Sequence, residues 1–460
     1  MDRLAAEDQR MLWPDEIWPQ DIGALAILDG SHLLEAGGRF RIEAVREVIA
    51  SRLHLAPRFR QLLYVPRWGL GGPLWADAPA FDLRDHVRVV PLPAPGDEAA
   101  LLHAVEQLRG RHLDRSRPLW EMCFFPGLAG NQVGMFVRMH HAIADAGAAV
   151  VTLGALLDTA PGVPAAPPPA WTPAPPPAAR DLLADNLQHL ASEVGHTFSA
   201  LTRPVATARR VRAAWPATRE LLARKPWPQT SLDRVVGPGR RVALIRASLD
   251  QVRQIARSHD ATVNDVLLAV TADGVRGLLR QRGEPIDHLT VPIYVSVTLR
   301  PPQARAQARG NLVALMTVAL PVGVSDPGAR LRQIATQTTR QKAASRPSLG
   351  TVFRGRMPRQ AVLKTMKLTR INLASANVPG PPQPRYLAGA RLLEVFPVLP
   401  LMAKTTLGIG ALSYAGQFNI LAVADHDACP DLEVFTAAAQ DGLHALAAAT
   451  QDTPDPHQQR

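Results

Sequence analysis

Cysteine is almost absent from this sequence: Cys123 and Cys429 are its two cysteines, with no CxxC pair. That argues against a disulfide framework and against a thiolate zinc site, and it fits a reducing compartment. Long apolar runs are missing too. A membrane-spanning helix needs roughly 18 apolar residues, and the longest candidate, Leu312 to Val324, is short and broken by Thr317 and Pro321. The opening residues, MDRLAAEDQRMLWPDE, are acidic and polar where a secretory signal needs a basic start and an apolar run. The expectation is a cytoplasmic protein, at most attached to the inner membrane face or to lipid inclusions. Acidic residues are missing from one place in particular. Arg330 to Arg370 holds eleven Lys/Arg and no Asp or Glu, and the remaining chain balances at forty of each, so the net charge of +11 comes from that block. Such a block favours an anionic lipid surface, a phosphate-bearing substrate or nucleic acid, or else it is a solvated, Arg-rich helix pair. Nucleic acid is the weakest reading, because the block has one aromatic, Phe353, and no recognisable nucleic-acid module.

What is present is enough chain for two domains: 460 residues exceed one typical core. The clearest boundary is Pro161 to Pro177, where nine of seventeen residues are proline. Proline removes backbone donors and favours an extended linker. The expected division is residues 1–160, a linker and basic helical crossover over 161–230, a second domain over 231–452, and a tail. Strand-like and helix-like stretches alternate on both sides. Ala24–Leu28, His86–Leu92 and Val133–Met139 read as strands, and Glu43–Leu53 and Glu98–Leu113 as helices. Beyond the linker, strands are expected at Arg241–Ser248, Leu289–Val297 and Leu312–Leu320, and a hairpin over Leu407–Tyr414 and Gln417–Asp425. Helices are expected at Leu249–Ser258, Thr262–Arg280 and Asp431–Ala449. The class is α/β. There is no internal repeat.

The chemistry-bearing stretch is HHAIADAG, residues 140–147. It stands between an apolar strand and a small-residue helix start. Histidine titrates near neutral pH, so a strand that delivers one to its end offers a proton acceptor at a fixed place. Adjacent strand residues point to opposite sides, so at most one of His140 and His141 faces a given cleft. Asp145 is either a carboxylate at a helix N-terminus or the partner of a distant arginine that holds the loop. No third ligand sits at a spacing suited to a metal.

HHAIADAG resembles the His-His-x-x-x-Asp-Gly motif of the bacterial wax ester synthase/diacylglycerol acyltransferase family, within the CoA-dependent acyltransferase superfamily. PRFRQ (57–61), AFDLRDHV (80–87) and LDRSRPLWEM (113–122) resemble the family's N-terminal half. TVNDVLLA (262–269), GN at 310–311 and ANVPGPPQPRYLAGARLLEVFPVLPL (376–401) resemble its C-terminal half in the same order. The resemblance implies two similar α/β domains, each a mixed sheet with helices, with a tunnel at their interface. It implies His141 as general base, His140 as a supporting residue, Asp145 as a loop-orienting one, and Asn264 at the thioester or oxyanion unless it only stabilises a first helical turn. Pro118, Leu119 and Trp120 would shape the acceptor path, although Trp120 suits a core equally well. Asn377, Pro379 and Gly380 would form a rigid turn beside the tunnel. Acyl-CoA enters as a substrate, and no cofactor is implied.

The expected function is O-acyl transfer from acyl-CoA to diacylglycerol or a long-chain alcohol, with peripheral lipid contact through 330–370. A condensation-type enzyme using a carrier-bound acyl group, and a non-catalytic lipid-surface protein, are the alternatives. One departure from the motif stands out: Ala146 follows the aspartate where the family has glycine. If that position needed φ > 0, alanine would cost roughly 1 kcal/mol.

Overall fold

The computed structural model describes residues 2–67, 70–201, 227–300, 310–343 and 370–451. Helix α1 (Ala6–Asp15) leads into β1 (Asp21–Asp29), α2 (Ile42–Arg52), β2 (Gln61–Tyr64), β3 (Leu74–Asp77), β4 (Val87–Val89), α3 (Glu98–Arg109), β5 (Trp120–Leu128), β6 (Gln132–His140) and α4 (Ala146–Gly154). After the proline-rich segment come α5 (Ala179–Leu201), β7 (Arg240–Ser248), α6 (Leu249–Ser258), α7 (Val263–Gln281), β8 (Val291–Thr298), β9 (Val313–Leu320) and α8 (Pro327–Ala343). The chain finishes through β10 (Leu373–Pro379), β11 (Tyr386–Leu387), β12 (Ala390–Val398), β13 (Leu407–Tyr414), β14 (Gln417–Asp425) and α9 (Leu432–Gln451).

Local chemistry accounts for most of these bounds. Helix α3 starts where Asp97 accepts from the Ala100 N–H at 2.8 Å, and it stops at Gly110, short of the expected Leu113. Helix α7 opens on a capping box: Thr262 accepts from the Asp265 N–H, and the Asp265 carboxylate accepts from the Thr262 N–H at 2.8 Å. The β13–β14 hairpin turns through Ala415 and Gly416, both left-handed at φ 46° and 84°. Two positive φ values are what a tight turn between right-twisted strands requires. Strand β4 is shorter than expected, because Pro91 and Pro93 follow it and cannot donate to a ladder.

Two six-stranded mixed sheets result. The first runs β11-β12-β1-β6-β5-β4 and the second β7-β14-β13-β10-β8-β9. Strands β11 and β12 come from late in the chain yet complete the first sheet, with β12 antiparallel to β1. Each sheet has its own apolar core, and a third core lies between the halves. There Trp18, Leu25, Phe136 and Phe396 from the first sheet's side meet Val242, Leu421 and Val423 of the second. Gly410 makes that approach possible, since a Cβ there would stand 2.5 Å from the Pro397 carbonyl. Polar contacts cross the same boundary: Glu106 accepts from the Val242 N–H at 2.9 Å, and the Trp18 indole donates to the Val236 carbonyl at 2.9 Å.

The proline-rich segment carries no regular structure from 163 to 178, and it is anchored where Trp171 meets Phe81 edge-on and the Arg60 guanidinium lies over its ring. Of the basic block, Arg330 is fully buried and paired with Asp273, so it offers nothing to an outside anion. Arg332 and Arg340 are exposed along α8, and residues 344–369 of that block lie outside the described residues. The same holds for 202–226 of the basic crossover. No helix among the described residues is long and apolar enough to cross a membrane.

Candidate active site

Strand β6 ends at His140, whose register partner on β1 is Asp21. His140 is buried, and its Nδ1 accepts from the Ala142 N–H at 3.0 Å. That acceptance puts the ring proton on Nε2, which lies 3.4 Å from the Asp15 carboxylate at the end of α1. Asp15 also accepts from the Gln20 N–H and from Arg115, each at 2.8 Å. Burial works against ionisation of Asp15, but His140, Arg115 and the Gln20 N–H outweigh it and hold its carboxyl well below the usual carboxylate range. His140 is therefore bonded at Nδ1 by the protein's own backbone and turns Nε2 towards a carboxylate.

His141 is held differently, by its main chain. Its N–H donates to the Gln20 carbonyl at 2.7 Å, and its carbonyl accepts from Asn311 Nδ2 at 2.6 Å. Among the described residues the ring makes no comparable bond, and Nδ1 is buried with no hydrogen-bond partner. Burial pushes the imidazole pKa below its ordinary value, and the neighbouring His140 adds to that shift. A neutral ring at neutral pH is the form that can accept a proton.

Asp145 satisfies both readings made from the sequence. As the N-cap of α4 it accepts from the Ala148 N–H at 2.9 Å through Oδ1. Through Oδ2 it takes the Arg300 guanidinium and the Leu312 N–H, the latter at 2.9 Å. Arg300 also donates to the Gly310 carbonyl at 2.7 Å, and Gly310 in turn accepts from the Asp145 N–H at 3.2 Å. Ala144 and Gly310 form a parallel bridge. The histidine loop is thus bonded to the segment 310–312 of the other half, and both Asp145 oxygens take part in holding it. Ala146 is the first residue of α4 and does not have positive φ, so alanine is unstrained at the position where the motif has glycine.

The remaining expected residues spread around this centre. Asn264 lies half-buried in the first turn of α7, and among the described residues no hydrogen bond joins it to the histidine loop. Trp120 is part of the core: it stacks on Phe59 at 4.4 Å and His86 at 4.8 Å, and its indole donates to the Phe59 carbonyl at 2.9 Å. Leu119 supports the motif through its backbone, where its carbonyl accepts from the His140 N–H at 2.9 Å, and Pro118 is buried beside it. Asn377 and Pro379 lie on β10, which packs against α4, and Gly380 follows. A Cβ at Gly380 would meet the Ser413 carbonyl at 2.5 Å, so glycine is required by packing there. Both cysteines are buried, and burial pushes their thiols up to about 11, which leaves neither a ready nucleophile. Among the described residues no group of three His, Cys, Asp or Glu is placed to hold a metal.

Reading the sequence did not single out Arg300, Asp8, Asp15 or Gln20. The acidic opening segment was the one signal for Asp8 and Asp15, and nothing local announces Gln20 or that Arg300 lies opposite Asp145.

Comparison with known proteins accords with this geometry. Residues 4–267 match the family model described as wax ester synthase/diacylglycerol acyltransferase catalytic domain, and residues 309–447 match the WS/DGAT C-terminal domain. The chain is 31% identical over 447 residues to a probable diacylglycerol O-acyltransferase of Mycobacterium tuberculosis, covering 93% of this chain and 91% of that protein. A putative diacylglycerol O-acyltransferase of the same organism is 32% identical over 403 residues, covering 83% of each. Among solved structures, the wax ester synthase/diacylglycerol acyltransferase from Marinobacter aquaeolei VT8 superposes with a TM-score of 0.67 at 22% identity, over 98% of this chain and 100% of that one. The starter condensation domain of rhizomide synthetase shares the fold at a TM-score of 0.59 and 15% identity, over 100% of this chain and 96% of that one. With both family models matched in order around a histidine loop that bridges the two halves, the chain belongs to the wax ester synthase/diacylglycerol acyltransferase family and is an acyltransferase.

Proposed function

We propose that this enzyme moves a long-chain fatty acyl group from acyl-CoA to the hydroxyl of diacylglycerol or of a long-chain alcohol, with His141 as general base. The observation that carries the reading is the contrast within the histidine pair. His140 accepts from the Ala142 N–H through Nδ1 and turns Nε2 towards the Asp15 carboxylate 3.4 Å away, whereas His141 is gripped by its backbone, has no carboxylate at its ring among the described residues, and keeps the ring neutral with Nδ1 buried. That leaves Nε2 to face a substrate.

An alcohol is a poor nucleophile at its own pKa, so the base takes the hydroxyl proton as the oxygen attacks the thioester carbonyl. The tetrahedral oxyanion then collapses, the C–S bond breaks, and the imidazolium returns its proton to the departing thiolate. Free CoA thiol and an ester are the products. No covalent enzyme intermediate is needed. Asn264, in the first turn of α7, is the proposed contact for the thioester or oxyanion, supported by its half-buried position at a helix N-terminus. Pro118, Leu119, Asn377, Pro379 and Gly380 are the proposed walls of the substrate path. The exposed Arg332 and Arg340 on α8 support peripheral contact with an anionic lipid surface, where both substrates partition.

The test gives purified protein labelled palmitoyl-CoA with diolein or with hexadecanol, beside His141→Ala. Ester from the wild type and loss of at least about a hundredfold in the variant are expected, within the range general-base removal commonly costs. Ester formation that survives in His141→Ala sinks the mechanism. Transfer only from a carrier-bound acyl group would favour a condensation-type enzyme, and binding of lipid without product a non-catalytic protein.

A further inference from the structure

We infer that Asn311 and Asp8 are positioning residues for His141: Asp8 of α1 orients the Asn311 amide, and the Asn311 amide holds the histidine's carbonyl and sets its ring. This rests on the reading of His141 as the base. The two hydrogens of the Asn311 NH2 group are both used. One goes to the His141 carbonyl at 2.6 Å and the other to Asp8 Oδ1 at 2.7 Å. The reverse orientation would set the amide oxygen against a carbonyl and a carboxylate, two acceptors, so the flip is disfavoured twice. Asp8 is itself 9% exposed, which removes much of the solvent screening that weakens surface pairs.

With its NH2 fixed, the amide turns its oxygen inward. Among the described residues Asn311 Oδ1 is buried without a hydrogen-bond partner, and so is Nδ1 of His141, whose carbonyl the same amide holds. One atom accepts only; the other becomes a donor when Nδ1 carries the proton. A small approach pairs them, satisfies both, and leaves the lone pair on Nε2, where the substrate proton must go. A buried polar atom left unpaired costs free energy, so these two complementary orphans favour that closure.

Helix α1 completes the device. Asp8 and Asp15 are seven residues apart, two helical turns, and so share a face. One reaches the His141 carbonyl through Asn311 and the other reaches the His140 ring. The N-terminal helix therefore grips both histidines at once.

Four variants test this in the palmitoyl-CoA assay, with Tm measured alongside: Asn311→Ala, Asp8→Ala, the double variant, and Asn311→Asp. Misplacing a catalytic group by about 1 Å costs on the order of a hundredfold. Asn311→Ala is expected to lower kcat by about that factor with KM for acyl-CoA within about twofold. Asp8→Ala is expected to lower kcat less, and the double variant no further than Asn311→Ala, because Asp8 acts through the amide. Asn311→Asp places a carboxylate beside the imidazole and is expected to move the acid limb of the kcat profile to higher pH. Wild-type kcat in Asn311→Ala, losses that multiply in the double variant, or an unmoved acid limb in Asn311→Asp would each overturn the proposal. His141→Ala separates the two claims: if that variant stays active, the base reading itself falls. If it is dead while Asn311→Ala turns over normally, only the positioning role falls.

Discussion

The segments 140–148 and 262–266 look alike in sequence, each a polar cluster opening a helix, and the fold treats them differently. Asp265 spends its oxygens close to home. It completes the Thr262 capping box and accepts from Thr338 at 2.7 Å, on α8 of the same half. Asp145 caps α4 and also binds Arg300 and the Leu312 N–H from across the molecule. One carboxylate starts a helix; the other fastens two halves at the histidine loop. A helix cap is a local device, stable wherever its helix packs, whereas an ion pair across a boundary exists only when both sides are assembled.

That difference can be broken from its strong side first. Asp145→Ala leaves the Arg300 guanidinium, 7% exposed, without its carboxylate. Breaking a buried pair in this way typically costs about 3–5 kcal/mol, so Tm and turnover should fall together. An Asp145→Ala protein with wild-type Tm and rate would show that the two carboxylates are equivalent after all. The pH profile comes next. Burial lowers the His141 pKa, and a base works only when deprotonated, so kcat/KM should hold down to an acid limb below the ordinary histidine value of 6.5. Below that limb it should fall about tenfold per pH unit. A limb at or above 6.5 would mean the ring is more solvated than its burial implies.

On the weak side, Thr262→Ala removes a local cap and should cost about 1 kcal/mol in denaturant unfolding with kcat unchanged. A large kcat loss would make the α7 start part of the active centre and bring Asn264 with it. The smallest effect is expected at the motif's irregular position. Because Ala146 is helical, Ala146→Gly should lower stability by under about 1 kcal/mol and leave turnover near wild type. A gain in rate would instead show that a substrate needs the missing Cβ space.

Much of the fold was legible because it is written in short-range patterns. The α7 capping box, the Ala415-Gly416 hairpin and the apolar run of β6 each depend on residues within a few positions, and each appears with bounds close to those expected. Strand β12 was not legible. Its residues lie inside the stretch that resembles the family's C-terminal half, yet its partner is β1, more than 350 positions earlier. No local periodicity states which sheet a strand joins, because either sheet would bury the same alternating side chains. Trp120 shows the same limit: its motif suits a tunnel wall or a core, and only its stacking between Phe59 and His86 decides.

By itself the sequence determined the class of the fold, the family and the identity of the candidate base. Those rest on spacing, on residue chemistry and on motif order, all of which survive without coordinates. Tertiary structure set the two histidines apart. The two are adjacent and of the same residue type, so side-chain chemistry alone does not separate them. They are told apart by what the fold brings to them: Asp15 from α1 to the His140 ring, and Asn311 from the far half to the His141 carbonyl. Electrostatics and hydrogen bonding act over a few ångströms, so partners hundreds of residues apart come into play only once the two halves have closed.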